Sequence, residues 1–164
     1  MKAKTLFIAV ILLISAGTNS ANAQNREFSG EWKLNREKTV LPDYQLYLSE
    51  IKILIKKDSL ITTRTYEDGN GQVYPFDENL TLDGKECKII IYDMPRTTKA
   101  SKVKSDGTII VESKTTFYGD NGEDNLNSTE TWKIDNEGPA LIISYKNNMS
   151  AGEVSGTNYY NKVK

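Results

Sequence analysis

The fold is decided by residues Ser49–Gly71, which read SEIKILIKKDSLITTRTYEDGNG. Isoleucines alternate with polar residues through Ser49–Asp58, and alternation with period two indicates a strand with one buried face. A tight turn is predicted at Asp58-Ser59, and the β-branched and aromatic residues of Leu60–Glu67 predict the returning strand. The following Asp-Gly-Asn-Gly segment is a strong hairpin turn, because Gly and Asn accept positive φ. We therefore expect antiparallel strands that follow one another along the chain.

The same rhythm continues on both sides of this stretch. It predicts further strands at Phe28–Leu34, Gln72–Leu82, Glu86–Asp93, Arg96–Lys104, Thr108–Tyr118, Leu126–Asp135, Ala140–Asn147 and about Gly156–Val163. In the last of these, we expect Tyr159 and Val163 to share a face. Since Pro75 cannot donate to a ladder, it predicts a sheet edge or a bulge.

Three segments interrupt the strand pattern. The composition of Asn35–Leu48 allows a helical turn or two around Tyr44–Leu48. We expect loops at Gly119–Asn125, which is acidic, and at Asn148–Ser155, which has no periodicity.

About ten short strands in sequential hairpins predict an all-β fold, a single up-and-down antiparallel β-barrel of about 8–10 strands. Closure of such a barrel removes exposed strand edges. A β-sandwich is the alternative, but it would need longer crossovers than the short connections seen here.

The first 23 residues have the features of a secretory signal peptide. Lys2 and Lys4 form a positive n-region, Leu6–Ile14 is an apolar h-region, and Ala21-Asn22-Ala23 is an A-x-A cleavage site. The apolar run is shorter than the roughly 20 residues of a membrane span. We therefore predict cleavage after Ala23, a barrel domain at 24–164, and a secreted or periplasmic location.

Composition excludes several kinds of chemistry. The chain has 21 basic and 22 acidic residues, and no basic stretch is interleaved with aromatics, so we expect no nucleic-acid partner. It contains no histidine, which removes Ser-His-Asp and Cys-His catalysis and the usual zinc and haem ligands. We predict no cofactor and no metal site. Cys87 is the one cysteine and reads as a half-buried strand residue, with a modifiable or dimer-forming thiol as the alternative.

The opening Phe28-Ser29-Gly30-Glu31-Trp32-Lys33-Leu34-Asn35 resembles that of bacterial secreted lipocalin-like proteins of the wider calycin group. The later segments Leu82–Cys87, Ser105-Asp106-Gly107 and Thr131-Trp132-Lys133-Ile134 are also similar to theirs. The resemblance implies a barrel whose cavity commonly takes small hydrophobic molecules. It also implies that Trp32 closes the barrel floor, with Lys162 of the last strand packed over it. The chain lacks the lipocalin disulfides, and Lys162 stands where lipocalins usually have an arginine.

Several side chains are predicted to face the barrel interior and are candidates for ligand contact. Their strands place the following residues inward: Arg64, Tyr74, Phe76, Glu78, Phe117, Glu130 and Tyr145. A buried carboxylate needs a partner, which Arg64 or Lys102 can supply to Glu78 and Glu130. Alternatively, these two carboxylates lie in water at an open barrel end. Arg64 is also a candidate for binding a ligand carboxylate.

Three functions fit this pattern. The first is an exported barrel that binds a small apolar or amphipathic molecule. The second is a protein-interaction module with a filled barrel, which acts through loops such as Asn148–Ser155. The third, ranked last, is an enzyme that uses Glu78 and Glu130 as a general acid/base pair. Interior volume separates the first two, since a ligand pocket needs roughly 300 Å³ or more.

Overall fold

The computed structural model describes residues 27–41, 46–119, 122–135, 138 and 140–163. The predicted signal peptide therefore lies outside the described residues. The ten strands are β1 (Gly30–Leu34), β2 (Tyr47–Lys56), β3 (Ser59–Glu67), β4 (Val73–Thr81), β5 (Asp83–Ile91), β6 (Met94–Lys102), β7 (Ile109–Gly119), β8 (Gly122–Asp135), β9 (Ala140–Met149) and β10 (Gly152–Lys162).

All ten strands belong to one antiparallel sheet that closes almost completely on itself. The strand order is β4-β3-β2-β1-β10-β9-β8-β7-β6-β5, so consecutive strands pair except β4 and β5, and β1 pairs with β10. The all-β, up-and-down, nearly closed barrel predicted from the hairpin pattern is confirmed. In the described strands, the ladder is interrupted between β4 and β5, which stand at the two ends of the order. We call this gap the seam.

Pro75 lies in β4, beside the seam, where a missing N–H leaves no ladder bond unmade on that side. The edge position predicted for this proline is confirmed.

Alternation along the strands builds one apolar core inside the barrel. Its buried members include Trp32, Ile51, Leu60, Leu80, Ile109, Trp132, Leu141 and Tyr160. Cys87 is half-buried against this core, as the sequence predicts.

The inward face of β10 is the one that carries Asn158 and Tyr160, not the face of Tyr159 that the sequence analysis singled out. Asn158 and Tyr160 are buried, whereas Tyr159 is only half-buried. The Tyr160 hydroxyl donates to the Leu48 carbonyl oxygen at 3.1 Å. Two adjacent tyrosines have the same hydrophobicity, so composition alone does not select which of them turns inward; the pairing of β10 with β9 and β1 does.

The two predicted loops are largely strand. The β9–β10 hairpin extends to a Met149–Gly152 pair, and β8 begins at Gly122, so both segments form long hairpins. Gly122 and Gly152, the first residues of β8 and β10, have φ values of 101° and 128°, which glycine adopts readily. The Ser150 hydroxyl donates to Asp124 at 2.7 Å and joins the two hairpin tips.

The helical turn expected near Tyr44–Leu48 is also wrong at its described end. Tyr47 is the first residue of β2, while residue 44 lies outside the described residues. The described part of the break begins with a turn at 36–38, in which the Asn35 side chain accepts hydrogen bonds from the amides of Glu37 and Lys38.

Candidate functional site

One end of the barrel interior holds a cavity with two lobes; we call this end the upper end. The first, which we call the apolar lobe, has a volume of about 310 Å³ and is walled by Tyr66, Tyr74, Phe76, Ile91, Met94 and Phe117, among others. The second has a volume of about 240 Å³ and combines apolar side chains such as Leu48 and Ile143 with polar ones, so we call it the polar lobe; its polar members include Ser113, Ser128, Glu130, Tyr145, Asn147 and Asn158. The lobes adjoin, because both are lined by Leu46, Tyr66, Arg96, Phe117 and Leu126.

Aromatic rings give the apolar lobe its shape. Tyr66 of β3 and Phe76 of β4 stack at 5.9 Å with an interplanar angle of 8°. Tyr74 meets Tyr92 edge to face at 6.0 Å, and the Tyr92 hydroxyl donates to the Pro75 carbonyl oxygen at 2.7 Å. Because Tyr92 follows β5, this contact joins the two strands at the seam. The lobe therefore has stacked aromatic walls, which suit a flat or apolar molecule.

A buried ion-pair cluster lies between the apolar core and the cavity. Arg64 of β3 donates two parallel hydrogen bonds to Glu130 of β8, at 2.9 and 3.0 Å. The Trp132 indole N–H donates to the same carboxylate at 2.8 Å, and the Arg64 guanidinium lies 5.2 Å from the Trp132 ring centre. This bidentate geometry is the strongest form of an Arg–carboxylate contact.

The second carboxylate of the cluster is Glu78 of β4. It accepts hydrogen bonds from Arg96 Nε at 2.9 Å and from the Thr98 hydroxyl at 2.6 Å. Arg64 Nε lies 3.2 Å from the other Glu78 oxygen, which is an ion pair rather than an aligned hydrogen bond. Arg96 also donates to the Thr115 hydroxyl at 2.9 Å. The cluster of Arg64, Glu78, Arg96 and Glu130 thus holds two positive and two negative charges.

Charge pairing keeps both carboxylates ionised. Burial on its own would raise the pKa of Glu130, but attraction to Arg64 and hydrogen bonds from Arg64 and Trp132 outweigh it and lower that pKa. Burial likewise opposes ionisation of Glu78, and attraction to Arg64 and Arg96 brings the pKa of Glu78 below its ordinary value. The alternative that these carboxylates lie in water is wrong, since Glu78 is 1% exposed and Glu130 8%.

The cluster also braces the barrel where the ladder is missing. Its charged members come from β3, β4, β6 and β8. The bonds from Arg96 and Thr98 to Glu78 link β6 to β4 past β5, so they cross the seam. The ion-pair cluster therefore has a structural role, in addition to forming the base of the cavity.

Of the seven residues predicted from the sequence as candidates for ligand contact, some line the cavity and the others lie in the ion-pair cluster. Tyr74, Phe76 and Phe117 line the apolar lobe, while Phe117, Glu130 and Tyr145 line the polar lobe. Neither lobe is lined by Arg64 or Glu78, which are enclosed in the ion-pair cluster.

Arg96 is the residue that the sequence analysis missed. It is 7% exposed, lines both lobes and lies 5.6 Å from the Phe76 ring centre. The alternation of Arg96, Thr98 and Ala100 was the available signal, but a strand so rich in polar residues does not indicate a buried face. Because two carboxylates are predicted to face inward, a second buried cation besides Arg64 is needed to balance them. That need is the signal that could have identified Arg96.

Trp32, which the resemblance assigns to the barrel floor, lies in the apolar core and lines neither lobe. It is fully buried, and its indole N–H donates to the Phe28 carbonyl oxygen at 2.8 Å. Lys162 Nζ lies 5.1 Å from the centre of the Trp32 ring, a cation–π distance. Gly30 makes room for this lysine, since a Cβ there would lie 2.6 Å from Lys162 Cε.

Three further observations concern the described residues. A groove of about 370 Å³ on the outer face of the barrel is lined by polar and charged side chains such as Thr97, Lys99, Glu112 and Thr129. Within the ranges given above, no three Cys, Asp or Glu residues are grouped so that they could hold a metal ion. In the same part of the chain, no helix has the length and apolar character needed to cross a membrane.

Comparison with known proteins gives one weak structural likeness. No protein-family model matches the chain, and no curated protein sequence matches it. The barrel is similar to the crystal structure of zebrafish ileal bile acid-binding protein in complex with cholic acid, with 15% identity and a TM-score of 0.45 over 84% of this chain and 99% of that one. A likeness at this level carries no functional argument.

Proposed function

We propose that the protein is an exported barrel that binds a small hydrophobic or amphipathic molecule in the two-lobed cavity. The observation that carries this proposal is the apolar lobe, a space of about 310 Å³ with aromatic walls inside the barrel. A cavity of this size is within the range of small-molecule sites, which start near 300 Å³. Export is part of the proposal and rests on the leader sequence of residues 1–23.

The rival function is an interaction module with a filled barrel, and only part of this barrel is filled. The region around Trp32 and Trp132 is filled by the apolar core, whereas the region above the ion-pair cluster is open. The segment Asn148–Ser155, a candidate interaction loop by sequence, belongs to the β9–β10 hairpin. The open upper part therefore favours ligand binding, and a protein partner remains the second candidate.

The enzymatic interpretation has less support from the geometry. A general acid at neutral pH needs a raised carboxyl pKa, whereas the pKa values of Glu78 and Glu130 are both lowered. Each carboxylate is also occupied by an arginine. We therefore assign both residues to holding the barrel and shaping the cavity.

The test is a fluorescence titration with N-phenyl-1-naphthylamine (NPN), an uncharged dye whose emission rises in apolar surroundings. We expect micromolar affinity, about 8 kcal/mol of binding free energy. The Phe76→Trp substitution should weaken binding by filling the apolar lobe, at a modest cost in stability. Tyr118→Trp is the matched control, because Tyr118 is 66% exposed on the same barrel and does not line either lobe.

If NPN does not bind, or if Phe76→Trp leaves its affinity unchanged, the cavity proposal fails. Strong destabilisation by Phe76→Trp, without dye binding by the parent protein, would favour a filled barrel and the interaction module. N-terminal sequencing of protein exported by cells tests the other half of the proposal: we expect Gln24 as the first residue, and retention of Met1 would contradict it.

A further inference from the structure

We infer that the cavity is selective for uncharged molecules that have an apolar body and a neutral polar end, and that it discriminates against organic anions such as fatty acids. This inference rests on the proposed function and adds the class of ligand. Its basis is the balance of charge around the cavity, together with the difference in chemistry between the two lobes.

The arginines of the cavity base are already paired. Arg64 is fully buried and gives both terminal nitrogens to Glu130 and its Nε contact to Glu78. Arg96 gives Nε to Glu78 and one terminal nitrogen to Thr115. Among the described residues that line the lobes, Arg96 and Glu130 carry the only full charges, one of each sign. The site therefore offers no net positive charge to an anion.

An anionic ligand would leave the cluster with a net negative charge. Its carboxylate or sulfonate would reach the cluster through Arg96, which faces both lobes. There it would share Arg96 with Glu78, a residue 1% exposed whose own charge already balances that arginine. An unpaired buried charge is heavily penalised, so the same cluster that closes the seam disfavours anions.

Uncharged polar groups meet no such penalty. The polar lobe presents the hydroxyls of Ser113, Ser128 and Tyr145 and the amides of Asn147 and Asn158. These groups both donate and accept hydrogen bonds, as a ligand hydroxyl, carbonyl or amide requires. Arg96 has three N–H groups in addition to the two used by Glu78 and Thr115, and a neutral acceptor that takes one of them adds no charge to the cluster.

Two matched probe pairs test the inference on the mature protein. NPN and 8-anilino-1-naphthalenesulfonate (ANS) share one skeleton and differ by a sulfonate, and decanol and decanoate share one chain length. We expect NPN to bind at least tenfold more tightly than ANS, and decanol to displace NPN at a concentration at least tenfold lower than decanoate. Equal or tighter binding of ANS and decanoate would overturn the inference and leave the proposed function standing. Failure of all four probes to bind would refute both.

The Glu130→Gln substitution tests the electrostatic cause. It keeps the shape of the side chain and leaves the cluster with one net positive charge, so the affinity of ANS relative to NPN should rise about tenfold. The control is Glu112→Gln, which changes the total charge equally but on the outer face, where Glu112 pairs with Lys99. A relative affinity that is the same in both variants would overturn the charge argument. Should Glu130→Gln fail to fold by circular dichroism, the probe pairs on the parent protein decide.

Discussion

Replacing Arg64 by Met should destabilise the barrel in a way that depends on pH. The substitution keeps much of the side-chain volume but removes the charge between Glu78 and Glu130. Glu78 keeps Arg96 as a partner, whereas Glu130 loses both of its arginine hydrogen bonds and keeps only the bond from Trp132. Removing one partner of a buried ion pair typically costs about 3–5 kcal/mol. A domain of this kind has a net stability of about 5–15 kcal/mol, so the loss is large.

The sign of the pH effect distinguishes this mechanism from a simple loss of packing. In the parent protein, the folded pKa of Glu130 is lowered, so its contribution to stability is present above the unfolded pKa of about 4.3 and is lost as the pH falls through the folded pKa. In Arg64→Met, burial without the arginine should raise the folded pKa of Glu130 above the unfolded value. The folded state then binds more protons, and stability should fall as the pH rises from 5 to 7.

The assay is urea unfolding at pH 5, 6 and 7, followed by tryptophan fluorescence, because Trp32 and Trp132 are both fully buried. The control is Lys99→Met, which removes an exposed cation paired with Glu112 and should change stability by less than about 0.5 kcal/mol. A loss of less than about 1 kcal/mol at pH 7, or the same pH slope as the parent protein, would refute the role assigned to Arg64. Adding Glu130→Gln should restore part of the stability, because no uncompensated charge then remains at that position.

Two further substitutions test the barrel floor by the same unfolding assay. Trp32→Ala should cost about 3–5 kcal/mol through lost burial and a residual cavity, and a loss below about 1 kcal/mol would show that Trp32 does not close the floor. Gly30→Ala should cost about 1–3 kcal/mol, because Gly30 has a φ of 145° and an added Cβ would displace Lys162 from the Trp32 ring. Gly69→Ala is the matched control, since a Cβ there meets nothing within 4 Å, and an equal cost in both variants would contradict the packing argument.

Strong local patterns predict the strands of this fold, while the sheet arrangement decides the ambiguous segments. The alternation Ile51, Ile53 and Ile55 predicts a strand with a buried face, and β2 has that form. In β3, Ile61 and Arg64 compete for the interior, and the pairing places Arg64 inside while Ile61 is 36% exposed. Parity with Leu60 and Thr62 predicts Arg64 inside, but the competition from Ile61 stays open in the sequence, because the sequence does not show that Glu78 and Glu130 compensate the arginine.

Only part of the ion-pair cluster could be predicted, because its contacts depend on the arrangement of the sheet. Parity along each strand places Glu78 and Glu130 inside, but their partners are set by which strands meet across the barrel. Contacts between β3 and β8, and between β4 and β6, join residues far apart in sequence that no local pattern connects. The seam between β4 and β5 is likewise a property of the closed sheet, and Pro75 was its one local sign.

The most direct test of the central claim is the position of bound NPN, measured by intermolecular nuclear Overhauser effects. The account predicts contacts from the dye protons to the rings of Tyr66, Phe76 and Phe117 in the apolar lobe. Contacts confined to outward residues such as Thr97 and Thr129 would place the dye in the outer groove and would contradict the claim that the barrel interior is the binding site.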